Sequence, residues 1–560
     1  MKKIMLSAML LMLAQLTLAD GLLTRNNQSA QYVRMLSRNA STDLDATFYN
    51  PAGLGHLGNG MHLSLNNQFE LGEKLLTSGY DYLNEPEYAE TIRQLFLPSG
   101  FAVYQADKLS VSLGFGQTGG LGSINWDHGL PSFEILAARI PAALPYQVRT
   151  DYQIDGYEAD VEFSGSSVFW GIQGGVTYQF TDFVSLYGGL RYWLATNRYS
   201  GSISNISLKI DGELVPAEGW IAAKSDDYEN SSVQAASAST VYTGAANRVQ
   251  QLITSGAGSL TLSQVQTMGY ISSAEKAQIE GALANIGYTP AQIASKNLNQ
   301  IKPIFTNEAQ VMSQAAIKYA ATSAELGLLV SQVTDRELDS QQEGKGITPI
   351  LGLNLTLMEK LNIGIRYEFK TSLTLTNNTK KDDCGLYPDE EEIRLEIPAH
   401  LAVGIGYKAT ERLEGQLSVD LNFDKGLVWG VNQRDLLTIG GENTQIRERS
   451  ASGNSLGLGL GFQYSLTDDL NFSLGGHFWK PAVNESYQSD FNFINSCYTI
   501  GLGIEWCPND QVSLDAGFSR SVYQTAEAHY FEPILDDWYI DTYNRNRMIF
   551  AIGLTYRTGR

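Results

Sequence analysis

Few side chains in this 560-residue chain could do chemistry, and the best placed are charges at alternate positions. Between Leu361 and Lys370, the residues Arg366, Glu368 and Lys370 fall on one face, and Leu361, Ile363, Ile365, Tyr367 and Phe369 on the other. A period of two is the mark of a strand with one apolar and one polar side. Together with Arg191, the cations Arg366 and Lys370 are expected to face an interior, where they could hold an anionic group. The other reading is that they line a polar wall and pair with neighbouring carboxylates. Catalysis has no comparable candidates. The six histidines, His56, His62, His128, His400, His477 and His529, lack metal-ligand spacing, and no serine lies in a nucleophile elbow. Gly457-Leu-Gly-Leu-Gly461 sits in an alternating run with no helix after it, which is not the setting of a nucleotide loop. No catalytic residue, metal or cofactor is expected.

The elements that would carry these charges repeat. Short polar turns with aromatic or apolar flanks occur at Tyr104–Leu109, Tyr178–Val184, Leu357–Leu361, Tyr407–Leu413, Tyr464–Leu470 and Trp506–Val512. These six turns pair twelve strands, and runs near Met61–Phe69 and Arg547–Tyr556 make fourteen. Long connections alternate with the turns, over residues 70–98, 117–166, 199–345, 377–391, 423–453, 481–496 and 524–546. Short turns at one rim, long loops at the other and aromatics at the short-turn ends are the pattern of an outer-membrane β-barrel. The fold class expected is all-β, a fourteen-stranded antiparallel transmembrane barrel with lipid as its outer partner.

Composition agrees. The chain has 54 Gly, 29 Tyr, 21 Phe and only 18% charged residues, and its formal charge of −21 excludes a nucleic-acid partner, which requires a basic surface. Lys2, Lys3 and the apolar run from Ile4 to Leu18 predict a signal peptide over residues 1–19, so the chain is exported. Wall glycines at 404, 406, 457, 459, 461, 501 and 503 would face inward. Glycine weakens a strand unless something must approach closely, so residues 20–60 are expected to plug the lumen. Within them, Phe48, Tyr49, Asn50, Pro51, Ala52, Gly53 and Leu54 form a turn of fixed geometry, because Pro51 sets φ and constrains Asn50.

With a plug inferred, the stretch Arg38-Asn-Ala-Ser-Thr-Asp-Leu-Asp-Ala-Thr-Phe-Tyr-Asn-Pro-Ala-Gly-Leu54 closely resembles the N-terminal hatch of the outer-membrane long-chain fatty acid transporter family, which includes aromatic-hydrocarbon importers. Gly129-Leu-Pro-Ser-Phe-Glu134 and Ile397-Pro-Ala-His-Leu-Ala-Val-Gly404 are also similar to that family. The resemblance implies a passive importer of hydrophobic molecules, most of all long-chain fatty acids. Ligand would be caught among the outer loops, pass a hatch that shifts, and leave sideways beside a kinked third strand. It makes Asn50, Pro51 and Ala52 hatch residues. Gly114, Gly116, Gly119 and Gly120, at the end of the third strand, are where a bend for the lateral gap is expected.

Three further expectations lie outside the barrel wall. Residues 211–345 read as a helical extracellular insertion, with a capping box at Ser272–Glu275, Pro290 at a first helical position, and a helix face of Val311, Ala315, Tyr319, Leu326 and Val330. Cys384 and Cys497 both fall on the long-loop side and could pair in an oxidising compartment, with Cys507 at the opposite rim. The chain is expected to act as a monomer. A general porin, and a surface binding protein for haem or another ligand, remain the alternatives to an importer.

Overall fold

Lipid offers no hydrogen-bond partners, so a spanning sheet must close on itself to pair its backbone. The computed structural model describes residues 24–558 except 127, 384, 386, 428–450, 484, 491–492 and 533–535. Its strands close as a fourteen-stranded antiparallel barrel. In chain order they are β1 (Gly60–Thr77), β2 (Glu87–Ala106), β3 (Leu109–Trp126), β4 (Ile154–Thr181), β5 (Val184–Ile210) and β6 (Arg336–Leu357). There follow β7 (Leu361–Glu368 with Thr371–Asp382), β8 (Glu392–Ile397 with His400–Lys408), β9 (Leu413–Asn422) and β10 (Ser455–Ser465). The last are β11 (Leu470–Lys480), β12 (Cys497–Asn509), β13 (Val512–Tyr523 with Ala526–Glu532) and β14 (Asp537–Arg557). Closure comes from β1 and β14, which pair from His62 with Arg557 to Thr77 with Thr542.

The outward positions carry the apolar side of the alternation. Leu63, Leu65, Phe115, Leu460, Leu502 and Leu554 are exposed there, and Tyr104, Tyr178, Tyr407, Tyr464 and Trp506 ring the short-turn rim. Far from that rim the strands run on well past the expected loop boundaries. The connection expected over 70–98 shrinks to 78–86, and that over 117–166 shrinks to 127–153. Beyond the lipid, outward positions such as Glu73, Ala89, Thr91 and Arg93 no longer need apolar side chains. The ladder therefore continues after the hydrophobic alternation has stopped. The expected signal peptide and Cys384 lie outside the described residues, and Cys497 is buried against Trp479 and Tyr523.

The chain divides into two compact units. The barrel unit holds Met1–Ala138, Ala159–Ser204 and Asp335–Arg560, and a helical unit holds Arg139–Glu158 and Asn205–Thr334. In the helical unit, helices Ala217–Leu252 and Leu298–Val330 run antiparallel. At seven-residue intervals Ser225, Ser232 and Ser239 donate hydroxyls to the carbonyls of Ser323, Ala316 and Ala309 at 3.0, 2.8 and 2.8 Å. The seam is thus built of small residues, and it corrects the expected helix face. Leu326 is buried as expected, but Val311 is exposed, while Ala309 and Ala316 are covered in its place. The distal segment packs Val249, Leu262, Ile279, Leu283, Ile301 and Phe305 into one core. Its helix Ser273–Asn285 begins with the expected capping box, Ser272 Oγ accepting from Glu275 N at 3.1 Å and Glu275 Oε2 accepting from Ser272 N at 2.9 Å. Replacing this cap should destabilise the helix by about 1 kcal/mol. Ser272→Ala is therefore expected to raise hydrogen-exchange rates of the 273–285 amides about five- to tenfold, with barrel amides unchanged.

Candidate functional site

Residues 24–59 fill the lumen, and their shape is set locally first. Ser29 caps helix Ala30–Met35 by accepting from Tyr32 N at 2.9 Å, and Leu36 closes it at φ 56°. Arg38 then folds the next loop around itself, with Nε and Nη2 donating to the two Asp45 oxygens at 2.8 Å each and Nη2 to Asp43 at 2.7 Å. A short helix, Ala46–Tyr49, leads to Asn50, and Pro51 starts a 3₁₀ turn to His56. Tyr49 ties the two halves together. Its ring stacks on Tyr32 at 5.2 Å, and its hydroxyl accepts from Gln28 N at 2.8 Å while donating to Asn26 O at 2.5 Å.

The wall is shaped to take this plug. Gly364 and Gly404 lie against the Asn39 backbone, Gly461 and Gly475 against the Met35 carbonyl, and Gly501 against the Val33 carbonyl; a Cβ at any of them would strike the hatch. Of the inward glycines, Gly457 has another neighbour, facing Asp420 and His477. Barrel hydroxyls take the hatch carbonyls, with Thr177 donating to Pro51 O at 2.7 Å and Ser185 to Ala52 O at 2.6 Å. Asn50 Nδ2 donates back to Ser41 O at 2.9 Å and across to Asn354 Oδ1 at 2.7 Å. Gly53 permits that fold, since a Cβ there would lie 2.6 Å from Asn50 Nδ2. Further down the wall, Arg34 binds Asp515 at 2.9 Å and Glu505 at 3.3 Å.

Two of the three expected lumen cations meet above the hatch. Arg191 holds Glu368 through Nη1 at 2.6 Å and Nη2 at 3.0 Å, and Arg366 Nε lies 3.2 Å from the same carboxylate. The Phe48 ring lies beneath both guanidinium groups, at 4.7 and 5.1 Å. Lys370 does not join them. β7 breaks after Glu368, so the alternation resets, and Lys370 is half exposed and paired with Glu396 at 3.0 Å. Above the arginines the interior turns apolar, with Phe169, Trp193, Leu373, Leu375, Leu395 and Ile397 packed together.

The third strand stays regular at Gly114 and Gly116 and becomes irregular at Gly119 and Gly120. β2 and β3 pair from Ala106 with Leu109 up to Ser99 with Gly116, and no further. Above Gly116, β3 continues to Trp126 along β4 only, with register shifts at Gln117–Gly119 and Gly119–Gly122. Gly120 and Gly122 adopt φ of 87° and 86°, which other residues rarely reach. The hatch covers the backbone that β2 leaves unpaired. Arg25 N donates to Thr118 O at 2.9 Å, Arg25 Nε to Gly120 O at 3.2 Å, and Gln28 Nε2 to Gln117 O at 2.8 Å. A small cavity beside this seam is lined by Phe48, Phe101, Phe115, Thr47, Thr118 and Gly114.

No family model matches this chain, and no curated protein matches its sequence. Among solved structures it is similar to that of a Pseudomonas aeruginosa FadL homologue, with a TM-score of 0.55 and 13% identity over 96% of this chain and 99% of the other. The fold is that of this FadL homologue. The Pseudomonas putida toluene transporter TodX is also similar, with a TM-score of 0.48 and 11% identity over 96% of this chain and all (100%) of the other.

The hatch motif meets the lower part of β3, where Ser110 Oγ donates to Leu54 O at 3.4 Å. Sequence reasoning did not reach Thr24–Gln28 as the segment covering β3, nor Thr177, Ser185 and Asn354 as its holders. Nothing in an alternating strand distinguishes a hydroxyl that will grip a plug from one that faces water. The role of Glu368 is that of the pairing alternative for the arginines. Removing a buried carboxylate from two cations is strongly destabilising, so Glu368→Ala should lower unfolding stability by about 3–5 kcal/mol, against less than about 1 kcal/mol for Lys370→Met. Denaturant titration of the two purified variants beside the native barrel measures both.

Proposed function

We propose that the chain imports hydrophobic small molecules passively across the outer membrane, with long-chain fatty acids as its cargo. The observation that carries this reading is the seam at β3. The wall is unpaired to β2 above Gly116, and its backbone is covered by Arg25 and Gln28 of the hatch. Displacement of that segment would open a lateral way to the bilayer. Cargo would enter through the apolar upper interior around Trp193 and Leu373, pass Phe48, and leave between β2 and β3. Such a route keeps an apolar chain out of water, which is worth about 0.8 kcal/mol per CH₂. A general porin is not favoured, because the hatch fills the lumen with hydrogen-bonded, closely packed backbone.

The test is uptake of a labelled long-chain fatty acid by cells producing the chain. Pro51→Ala loosens the turn that seats Asn50 and is expected to reduce uptake several-fold at equal surface abundance. Removal of residues 24–58 is expected to produce steady ion conductance in planar bilayers and to abolish saturable uptake. Unchanged uptake in both variants would contradict the proposal.

A further inference from the structure

On the long-loop side the lipid-facing band of the barrel ends on cations. The outward residue beyond the exposed Ile347 is Lys345, that beyond Phe369 is Lys370, and that beyond Leu95 is Arg93. Arg520 joins the same level, in one register row with Met548, Leu71 and Arg93. A chain of formal charge −21 has no general surplus of cations to scatter there. At the opposite rim the short turns mix both signs, as in Asp107-Lys108 and Glu359-Lys360. Long cationic side chains can lay their stems on hydrocarbon and set their charge among lipid headgroups.

The cations are densest on β6 to β8. Lys345, Thr374 and Arg394 form one register row, which sets Lys345 and Arg394 on strands about 10 Å apart. Lys370 Nζ and Arg394 Nη2 both donate to Glu396 Oε1, at 3.0 and 2.5 Å, and Arg394 Nε donates to Ser372 Oγ at 3.2 Å. Glu396 thus offsets one of two charges and holds both in place. Lys345 is exposed and, among the described residues, makes no hydrogen bond and no ion pair. The carboxylates of Glu343 and Glu392 belong to the next row outward, with Thr376, about 7 Å further from the lipid. The row nearest the lipid therefore keeps an excess of positive charge.

Further out, the same face of the sheet is hollowed into a cleft of about 520 Å³, lined by Ser164, Ser166, Arg198, Gln341, Asn378 and Lys380. Lys380 is held by Asp339 at 2.7 Å, whereas Arg198 has no such partner among the described residues. Hydroxyls and amides of this kind match the donors and acceptors of a sugar and offer nothing to an acyl chain. Gln341 lies four residues along β6 from Lys345, about 13 Å, so cleft and cation row can serve one headgroup. We infer that the outer face of β4 to β8 docks a phosphorylated glycolipid of the leaflet on the long-loop side. Its phosphate rests on Lys345 and Arg394, its sugar in the cleft, and its acyl chains on the apolar band around Ile347 and Phe369. Arg394 Nη1 and the Lys345 ammonium supply charge-assisted bonds to the phosphate oxygens.

The test titrates the full chain, purified in non-ionic detergent, with three lipids and reads the bound forms by native mass spectrometry. They are a diphosphorylated glucosamine-disaccharide lipid, the same lipid without phosphate, and phosphatidylglycerol. The native barrel is expected to bind the first roughly tenfold or more tightly than either of the others. Lys345→Gln and Arg394→Gln are each expected to weaken binding of the phosphorylated glycolipid several-fold, and together about tenfold, with the phosphate-free lipid unchanged within about twofold. Lys345 has no protein partner to lose, so its change reads lost charge and not lost fold, and Lys345→Arg is expected to keep binding. An unchanged preference in the double variant would overturn the inference. Phosphatidylglycerol bound as tightly as the phosphorylated glycolipid would overturn it as well, because the surface would then take any anionic lipid.

Discussion

Backbone pairing in a medium without water governs the whole molecule. Closure of β1 onto β14 satisfies it around the circumference, but a wall paired everywhere offers no sideways exit. The barrel departs from full pairing at β3 above Gly116, and there the backbone takes its partners from the hatch. One segment, Arg25–Gln28, thus completes the wall while belonging to the plug. Plug and wall are therefore coupled at the place where cargo would leave. Displacing the plug exposes strand backbone, and restoring it seals the sheet.

The same coupling explains the composition of the lumen. A plug with helices needs close approach, and glycines at 364, 404, 475 and 501 let its backbone touch the strands. Hydroxyls at Thr177 and Ser185 then hold it by single hydrogen bonds, each contributing about 1 kcal/mol. Many small ties of this kind fix a position without making any one of them costly to release. The buried ion pairs are of another sort. Arg34 with Asp515 anchors the lower hatch, whereas Arg191, Arg366 and Glu368 hold Phe48 at the boundary between the apolar upper interior and the packed hatch.

What sequence reasoning reached and missed follows from this physics. Where lipid imposes a period of two, as from Leu361 to Phe369, the strand and its faces could be read directly. Beyond the lipid the constraint lapses, so no alternation marks the strand ends around Thr77 and Glu87. Lys370 carried the right charge in the right alternation, but the break after Glu368 turned it outward, and a break is not written in periodicity. Glycines at 119 and 120 mark the irregular stretch of β3, whereas those at 114 and 116 lie in regular pairing and face Thr47 and Gln28 of the hatch.

Movement of the hatch away from β3 is the step on which the account turns. A Cβ at Gly116 would touch the end of the Gln28 side chain, so cysteines at these two positions lie within reach of a short thiol-reactive linker that is cleaved on reduction. In a chain whose native cysteines are replaced by serine, Gln28→Cys with Gly116→Cys is expected to lose labelled fatty acid uptake when the linker joins them and to regain it on reduction. Full uptake with the cross-link formed would contradict the account.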